Sequence, residues 1–197
     1  MAPPLLQRST FVVEQKRKFF ELRNQYRIFD EDGHQIGAIE QVKQSPLAIF
    51  ARFGTDLDVA LPTWLEISDS DGHAVLSMHK PWFRMTFDVS RADGTQLGSI
   101  AKQIRLGKAR FRITDPSGSE MGEVRAENWR AKDFTVVDHS GNAIARATKQ
   151  WRGLATEMFT DADTYVVSLE PHASEPLRSM ALAASLAIDV ILKEKDS

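Results

Sequence analysis

Five histidines, three carboxylate pairs, one basic cluster and a lone aspartate inside an apolar run are the side chains of this 197-residue chain whose types and spacing could do chemistry. His34 and His73 each follow a glycine directly, and His139 sits in Asp138-His-Ser-Gly141, so turn polarity accounts for all three. His79 and His172 have no His or Cys partner at a metal-like spacing. With no cysteine, a thiolate nucleophile, a zinc-thiolate site, a disulfide framework and a palmitoylation site are excluded. Gly-x-Ser-x-Gly, a phosphate-cradling glycine loop and His-Glu-x-x-His are absent. No catalytic residue is assigned, and the chain reads as a protein that is not an enzyme.

The carboxylate pairs are Asp30-Glu31-Asp32, Asp69-x-Asp71 and Asp161-x-Asp163, each able to offer oxygens to a hard cation. Hairpin turns explain the first two better. Counting from Asp161 as the first position of an EF-hand loop, the places that need an oxygen ligand, a glycine and a final Glu are taken by Tyr165, Val166 and His172. What remains at Asp161 and Asp163 is a weak calcium site. The basic cluster comprises Arg8, Lys16, Arg17, Lys18, Arg23 and Arg27, next to Phe19 and Phe20. A solvated strand edge is the commoner meaning of such a cluster. The alternative is attraction to anionic lipid headgroups, worth about 1 kcal/mol per basic residue near the surface. On that reading Lys16, Arg17, Lys18, Arg23 and Arg27 are the lipid-binding set.

The lone aspartate is Asp189, within the apolar run Met180 to Leu192. At about 100° per residue the apolar side chains of this run point in every direction, so the helix must be enclosed. Its thirteen residues span roughly 20 Å, short of the roughly 30 Å of a bilayer's hydrocarbon. Asp189 lies on one narrow polar stripe with Ser185, and a buried carboxylate needs a partner, so a basic residue or a wet mouth is expected beside it. The expectation is a structural pair. Ser174 and Pro176 supply a helix start and Lys193 and Lys195 suit its end, giving a helix over about 175–193.

Formal net charge is −2 and the pI is near 6.2, so there is no global attraction to nucleic acid, which is excluded as a partner. The N-terminus lacks a basic start and an apolar run of signal-peptide length, so the expected location is cytoplasmic. One domain over 10–197, preceded by a tail over 1–9, is the expected organisation.

The elements that position these residues form a repeat. Tyr26 to Gly33, Leu65 to Gly72, Phe87 to Gly94, Phe111 to Gly118 and Phe134 to Gly141 each place apolar residues seven and five positions before the glycine. An aspartate precedes each of these glycines inside the turn, and alternating runs flank it, which predicts a hairpin every time. The strand after each glycine begins apolar and turns basic, and Trp82, Trp129 and Trp151 follow three of these runs. A sixth, imperfect unit runs from Glu157 to Glu170, and Gln41 to Pro62 is an insertion that the pattern leaves open between helix and strand. About twelve antiparallel strands should close, and a barrel that wide needs a filler. The fold predicted is mainly β: a closed antiparallel barrel of about twelve strands around a buried C-terminal helix.

Glu157-Met-Phe-Thr-Asp-Ala-Asp163, the strand after it and the apolar helix with Ala-Ile-Asp189 resemble the C-terminal end of the phospholipid scramblase family. Tyr26-x-Ile-x-Asp-x-x-Gly33 with Ile36-Gly37, and the other hairpins, resemble the same family and the related LURP-one-related and tubby-like proteins, over roughly residues 10 to 195. The resemblance implies a closed twelve-stranded barrel around the helix, a calcium segment beginning at Asp161 and Asp163, and an anionic phospholipid surface as partner. The implied function is phospholipid binding, with lipid movement between leaflets, at the inner face of the plasma membrane. The rival expectation is a tubby-like barrel that recognises a protein or small ligand with no membrane role.

Overall fold

In the computed structural model the described residues are 4–15, 25–43, 62–105, 108–128, 133–148 and 164–193, with the side chains of the last helix described as far as Leu186. Twelve strands run in chain order: β1 (Thr10–Gln15), β2 (Gln25–Phe29), β3 (Gln35–Lys43), β4 (Thr63–Asp69), β5 (Ala74–Lys80), β6 (Thr86–Arg91), β7 (Gln96–Arg105), β8 (Lys108–Thr114), β9 (Glu120–Asn128), β10 (Asp133–Asp138), β11 (Ala143–Thr148) and β12 (Thr164–Leu169). Each pairs antiparallel with its sequence neighbours, and β1 pairs with β12, so the sheet is a closed barrel. The expected closed, twelve-stranded architecture is the one observed.

Five hairpins sit where the repeat predicted them, and their turns share one mechanism. In four, the Oδ1 of the leading aspartate accepts the backbone N–H groups two and four residues on. Asp115 takes Ser117 at 2.8 Å and Ser119 at 2.9 Å, and Asp138 takes Ser140 and Asn142, both at 2.8 Å. The glycine N–H returns to the aspartate carbonyl, as Gly118 does to Asp115 at 3.0 Å, with the glycine at φ 88°. That φ lies in the region that favours glycine. In the fifth turn Arg91 holds the leading position, and Asp93, next to Gly94, accepts from Thr95 instead. Each hairpin ladder also slips by a residue close to its turn, as between Ile113 and Thr114. Such bulges bend the strand and increase twist, which closure needs.

The twelve strands are distributed differently from the expected six hairpins. The second run of the imperfect sixth unit is β12, whereas its first run, from Glu157, lies outside the described residues, as do 44–61 of the insertion. The remaining strand is β1, which has no glycine turn to announce it. Within the stretch expected to be an N-terminal tail, Pro4–Gln7 form a short helix, α1, whose Leu5 and Leu6 are buried in the core.

Helix α2 (Leu177–Lys193) runs through the barrel, and seven consecutive side chains from Met180 to Leu186 are buried, so it has no solvated face over that stretch. It packs on β11 and β12, and also on β7, β9 and β10. The inward residues of β11 are Ala145 and Ala147, and α2 offers Ala181, Ala183 and Ala184. Small residues on both sides let backbones approach closely. Elsewhere larger inward side chains, among them Phe87, Phe111, Phe134 and Tyr26, fill the remaining space. Each such aromatic or aliphatic side chain contributes about 1.5–3 kcal/mol by leaving water. Ser185, the one hydroxyl in the buried stretch, is satisfied within the helix: it donates to the Ala181 carbonyl at 2.8 Å.

Candidate functional site

Meandering pairing gives the barrel two chemically opposite ends. All five glycine turns lie at one end, and their residues (30–34, 69–73, 91–95, 115–119 and 138–142) contain eight acidic side chains against the single basic Arg91. The short helix α1 and the start of α2 are tied together here. The Arg178 guanidinium donates to the carbonyls of Leu6 at 3.1 Å, Arg8 at 2.6 Å and Glu170 at 3.5 Å, clasping α1 to the start of α2. Arg8 donates to Asp30 Oδ2 at 3.2 Å beside a notch of about 260 Å3 that also involves Ser9, Thr10, Glu31 and Asp32.

The turn carboxylates invite a metal reading, and their geometry answers it. Ligand atoms of Asp30, Asp32 and His34 lie within 4.8 Å of one another, as do those of Asp69, Asp71 and His73. Yet Asp30 Oδ1 accepts the N–H groups of Asp32 (3.1 Å) and His34 (2.8 Å), and Asp69 Oδ1 those of Asp71 (3.0 Å) and His73 (2.9 Å). Asp115 and Asp138 make the same bonds in turns with no second acid. The clustering is what the turn dictates, and no metal centre is assigned to it. Burial pushes the Asp30 carboxyl up, but the His34 N–H, the His34 ring, the Arg8 guanidinium and the Asp32 N–H outweigh it and hold the group below its ordinary value. At Asp115 the Ser117 hydroxyl leads the same downward shift, and at Asp138 the Asn142 side chain does.

The opposite end is where β1 stops and β2 starts, where Lys43 meets Trp64, Thr63 meets Lys80, Arg105 meets Lys108, and Asn128 meets Asp133. In the sequence, the segments that join these strands (16–24, 44–61, 81–85, 106–107, 129–132 and 149–163) comprise ten Lys or Arg against six Asp or Glu, and of them 81–85 lies among the described residues. The described connection between β5 and β6, Pro81 to Met85, puts Trp82 at 50% and Phe83 at 79% exposure, with Arg84 also exposed. The two rings lie 6.1 Å apart at 36°. On the outer wall nearby, Trp64 stacks on His79 at 4.7 Å and 17°, and Val42 on the adjacent strand is 42% exposed. One sector of this rim, spanning β3 to β6, is thus aromatic and bordered by positive charge.

Of the expected lipid-binding set, Arg27 is described: it lies exposed on β2, pairs with Glu14 at 2.8 Å and stands 5.6 Å over the Phe29 ring. Lys16, Arg17, Lys18 and Arg23 lie outside the described residues, as do Asp161 and Asp163. Asp189 falls within α2, where its side chain is outside the described set. The inner wall at the end toward which α2 runs includes Lys80, 1% exposed, and Lys102 at the next inward-facing position after Ile100. The strands turn basic there in the sequence, and period-two alternation from Leu76 and Met78 sends Lys80 inside rather than out.

Three comparisons bear on this geometry. The Scramblase family model matches residues 3–195. A Saccharomyces cerevisiae protein named "Altered inheritance rate of mitochondria protein 25" is 23% identical over 203 residues, covering 86% of this chain and 61% of its own length. A phospholipid scramblase family protein of Schizosaccharomyces pombe is 24% identical over 185 residues, covering 84% of this chain and 47% of its own. The chain therefore spans about half to three-fifths of these relatives. A solved Arabidopsis thaliana protein matches with a TM-score of 0.54 at 14% identity over 92% of this chain and 90% of that one, a likeness of fold alone.

Proposed function

Because the chain belongs to the Scramblase family, we propose that it is a scramblase-like protein that binds anionic phospholipid surfaces peripherally through the basic end of its barrel. What supports this is the charge asymmetry of the inter-strand segments in the sequence, with eight acids and one arginine in the glycine turns and ten Lys or Arg against six Asp or Glu in the segments that join the strands at their other ends. An anionic surface repels the first end and attracts the second, so the molecule has a preferred orientation despite a net charge of only −2. On this reading Lys16, Arg17, Lys18 and Arg23, in the segment between β1 and β2, contact headgroups, with Arg27 shared between Glu14 and the surface. Asp161 and Asp163 supply a weak calcium contact. No step of covalent chemistry is involved. Among the described residues no helix is long and apolar enough to cross a membrane, and α2 fills the barrel, so association is proposed with the barrel intact at the cytoplasmic face.

The test is co-sedimentation of the full chain with vesicles of 70:30 phosphatidylcholine and phosphatidylserine, with and without calcium. Binding at low salt that weakens steeply as salt rises is expected. No co-pelleting at low salt refutes the proposal and leaves a barrel that recognises protein or small ligand. Leaflet exchange, read by quenching of a fluorescent lipid, then separates binding from scrambling.

A further inference from the structure

Phe83 is the non-glycine residue with positive φ among the described residues, at 57°, and it is also the most exposed of the large apolar side chains there. The conjunction is unusual on physical grounds. A bulky residue in the left-handed region is strained, and glycine or asparagine would occupy the position with less cost. Burial of the ring would ordinarily offset that strain. Here it is 79% in water, so neither backbone nor core accounts for the side chain. Trp82 beside it is half exposed, and Arg84 is exposed as well. The connection is anchored where it rejoins the barrel: Lys102 N–H donates to the Met85 carbonyl at 2.9 Å.

We propose that the Pro81 to Met85 connection is a membrane wedge, in which Trp82 and Phe83 insert into the interfacial layer of an anionic phospholipid bilayer while Arg84 remains at the headgroup phosphates. This rests on the phospholipid-binding reading above and fixes which part of the basic end enters the lipid. Indole and phenyl rings partition to the boundary between headgroups and acyl chains, and a flanking cation adds attraction to anionic lipid. Positive φ turns the chain sharply at the tip, projecting two consecutive side chains outward instead of returning one to the barrel wall. The connection lies at the basic end and is remote from the acidic turns, so charge and apolar surface favour the same orientation. Val42 and the Trp64–His79 stack, on adjacent strands at the same end, border the inserted rings.

Four versions of the full chain test this: wild type, Phe83→Gly, Trp82→Ser/Phe83→Gly and Trp82→Phe. Thermal unfolding is measured in solution, and partitioning to 70:30 phosphatidylcholine/phosphatidylserine vesicles is measured by sedimentation. Phe83→Gly should unfold no lower than wild type, since glycine fits the backbone, yet partition on the order of tenfold more weakly for loss of one buried ring. The double variant should partition more weakly still. Brominated acyl chains should quench tryptophan emission of wild type, and a Trp82→Phe variant should lose a clear part of that quenching against the other three tryptophans. If wild type binds and the two glycine variants bind as tightly, with quenching unchanged in Trp82→Phe, the wedge is refuted and the phospholipid reading stands. If wild type does not bind at all, both fall, and a protein partner becomes the occupant of this rim.

Discussion

Replacing Gly98 by alanine should remove a large part of the barrel's stability, and the size follows from where the methyl group would go. Gly98 lies on β7 four residues after the turn glycine Gly94, with φ 147°. A Cβ there would overlap the Thr114 carbonyl oxygen outright and stand 3.0 Å from the Thr114 carbonyl carbon and 3.2 Å from the Asp115 Cα. All three atoms are backbone. Ser99 pairs with Thr114, and Asp115 is fixed by its turn bonds, so nothing can rotate away as a flexible side chain would. Gly94 is the internal control: its φ is 86°, but nothing lies within 4 Å of an added Cβ. Gly94→Ala thus carries only the conformational penalty, about 1 kcal/mol, or about 2–4 °C in melting temperature for a chain of this size. Gly98→Ala adds displacement of packed backbone, about 1–3 kcal/mol, and disturbance of one or two ladder hydrogen bonds at about 1 kcal/mol each. A loss of about 3–6 kcal/mol is a large part of an ordinary stability of about 5–15 kcal/mol. Urea titration followed by far-ultraviolet circular dichroism reads the difference. Equal losses for the two alanine variants would show that the close approach of β7 to the end of β8 carries no weight.

Leu186, 1% exposed inside the barrel, gives a graded test of the enclosed helix: Leu186→Ala should cost about 2–5 kcal/mol, and Leu186→Lys should give no soluble folded protein. A soluble lysine variant with wild-type thermal unfolding would contradict enclosure. Asp30 makes a pH prediction. Its folded pKa lies below the unfolded value near 3.8, so its contribution is complete above that value and is lost as pH falls through the folded one. Asp30→Ala should therefore be about 1–3 kcal/mol less stable than wild type at neutral pH. The gap should narrow below about pH 4. A gap that widens on acidification contradicts the assignment.

The barrel was legible because its repeat writes one instruction five times. Tyr26 and Ile28, Leu65 and Ile67, Phe87 and Val89, Phe111 and Ile113, and Phe134 and Val136 all alternate inward, and all are at most 3% exposed. What the pattern could not convey depends on proximity in space. Gly37, Gly98 and Gly122 each stand four residues after a turn glycine and each meet a neighbouring strand's carbonyl oxygen, a requirement visible only once strands are paired. Strand β1 has no turn of its own kind, and Leu5 and Leu6 are too short a pair to signal a helix whose side chains enter the core. The candidate site was half legible. Trp82 was noticed for following a basic run, whereas the strain and exposure of Phe83 are properties of a conformation, not of a composition.

Pairing of β1 with β12 sets an order on biosynthesis. Every other strand can join its predecessor as it leaves the ribosome, but the seam cannot close before residue 169 is available, and the interior is unfilled until α2 follows. During that interval the growing sheet carries two bare edges and an open apolar face, the features that invite aggregation. A nascent chain in that state should need protection from association until α2 emerges, and a message truncated anywhere before that helix should yield insoluble product rather than a smaller working barrel.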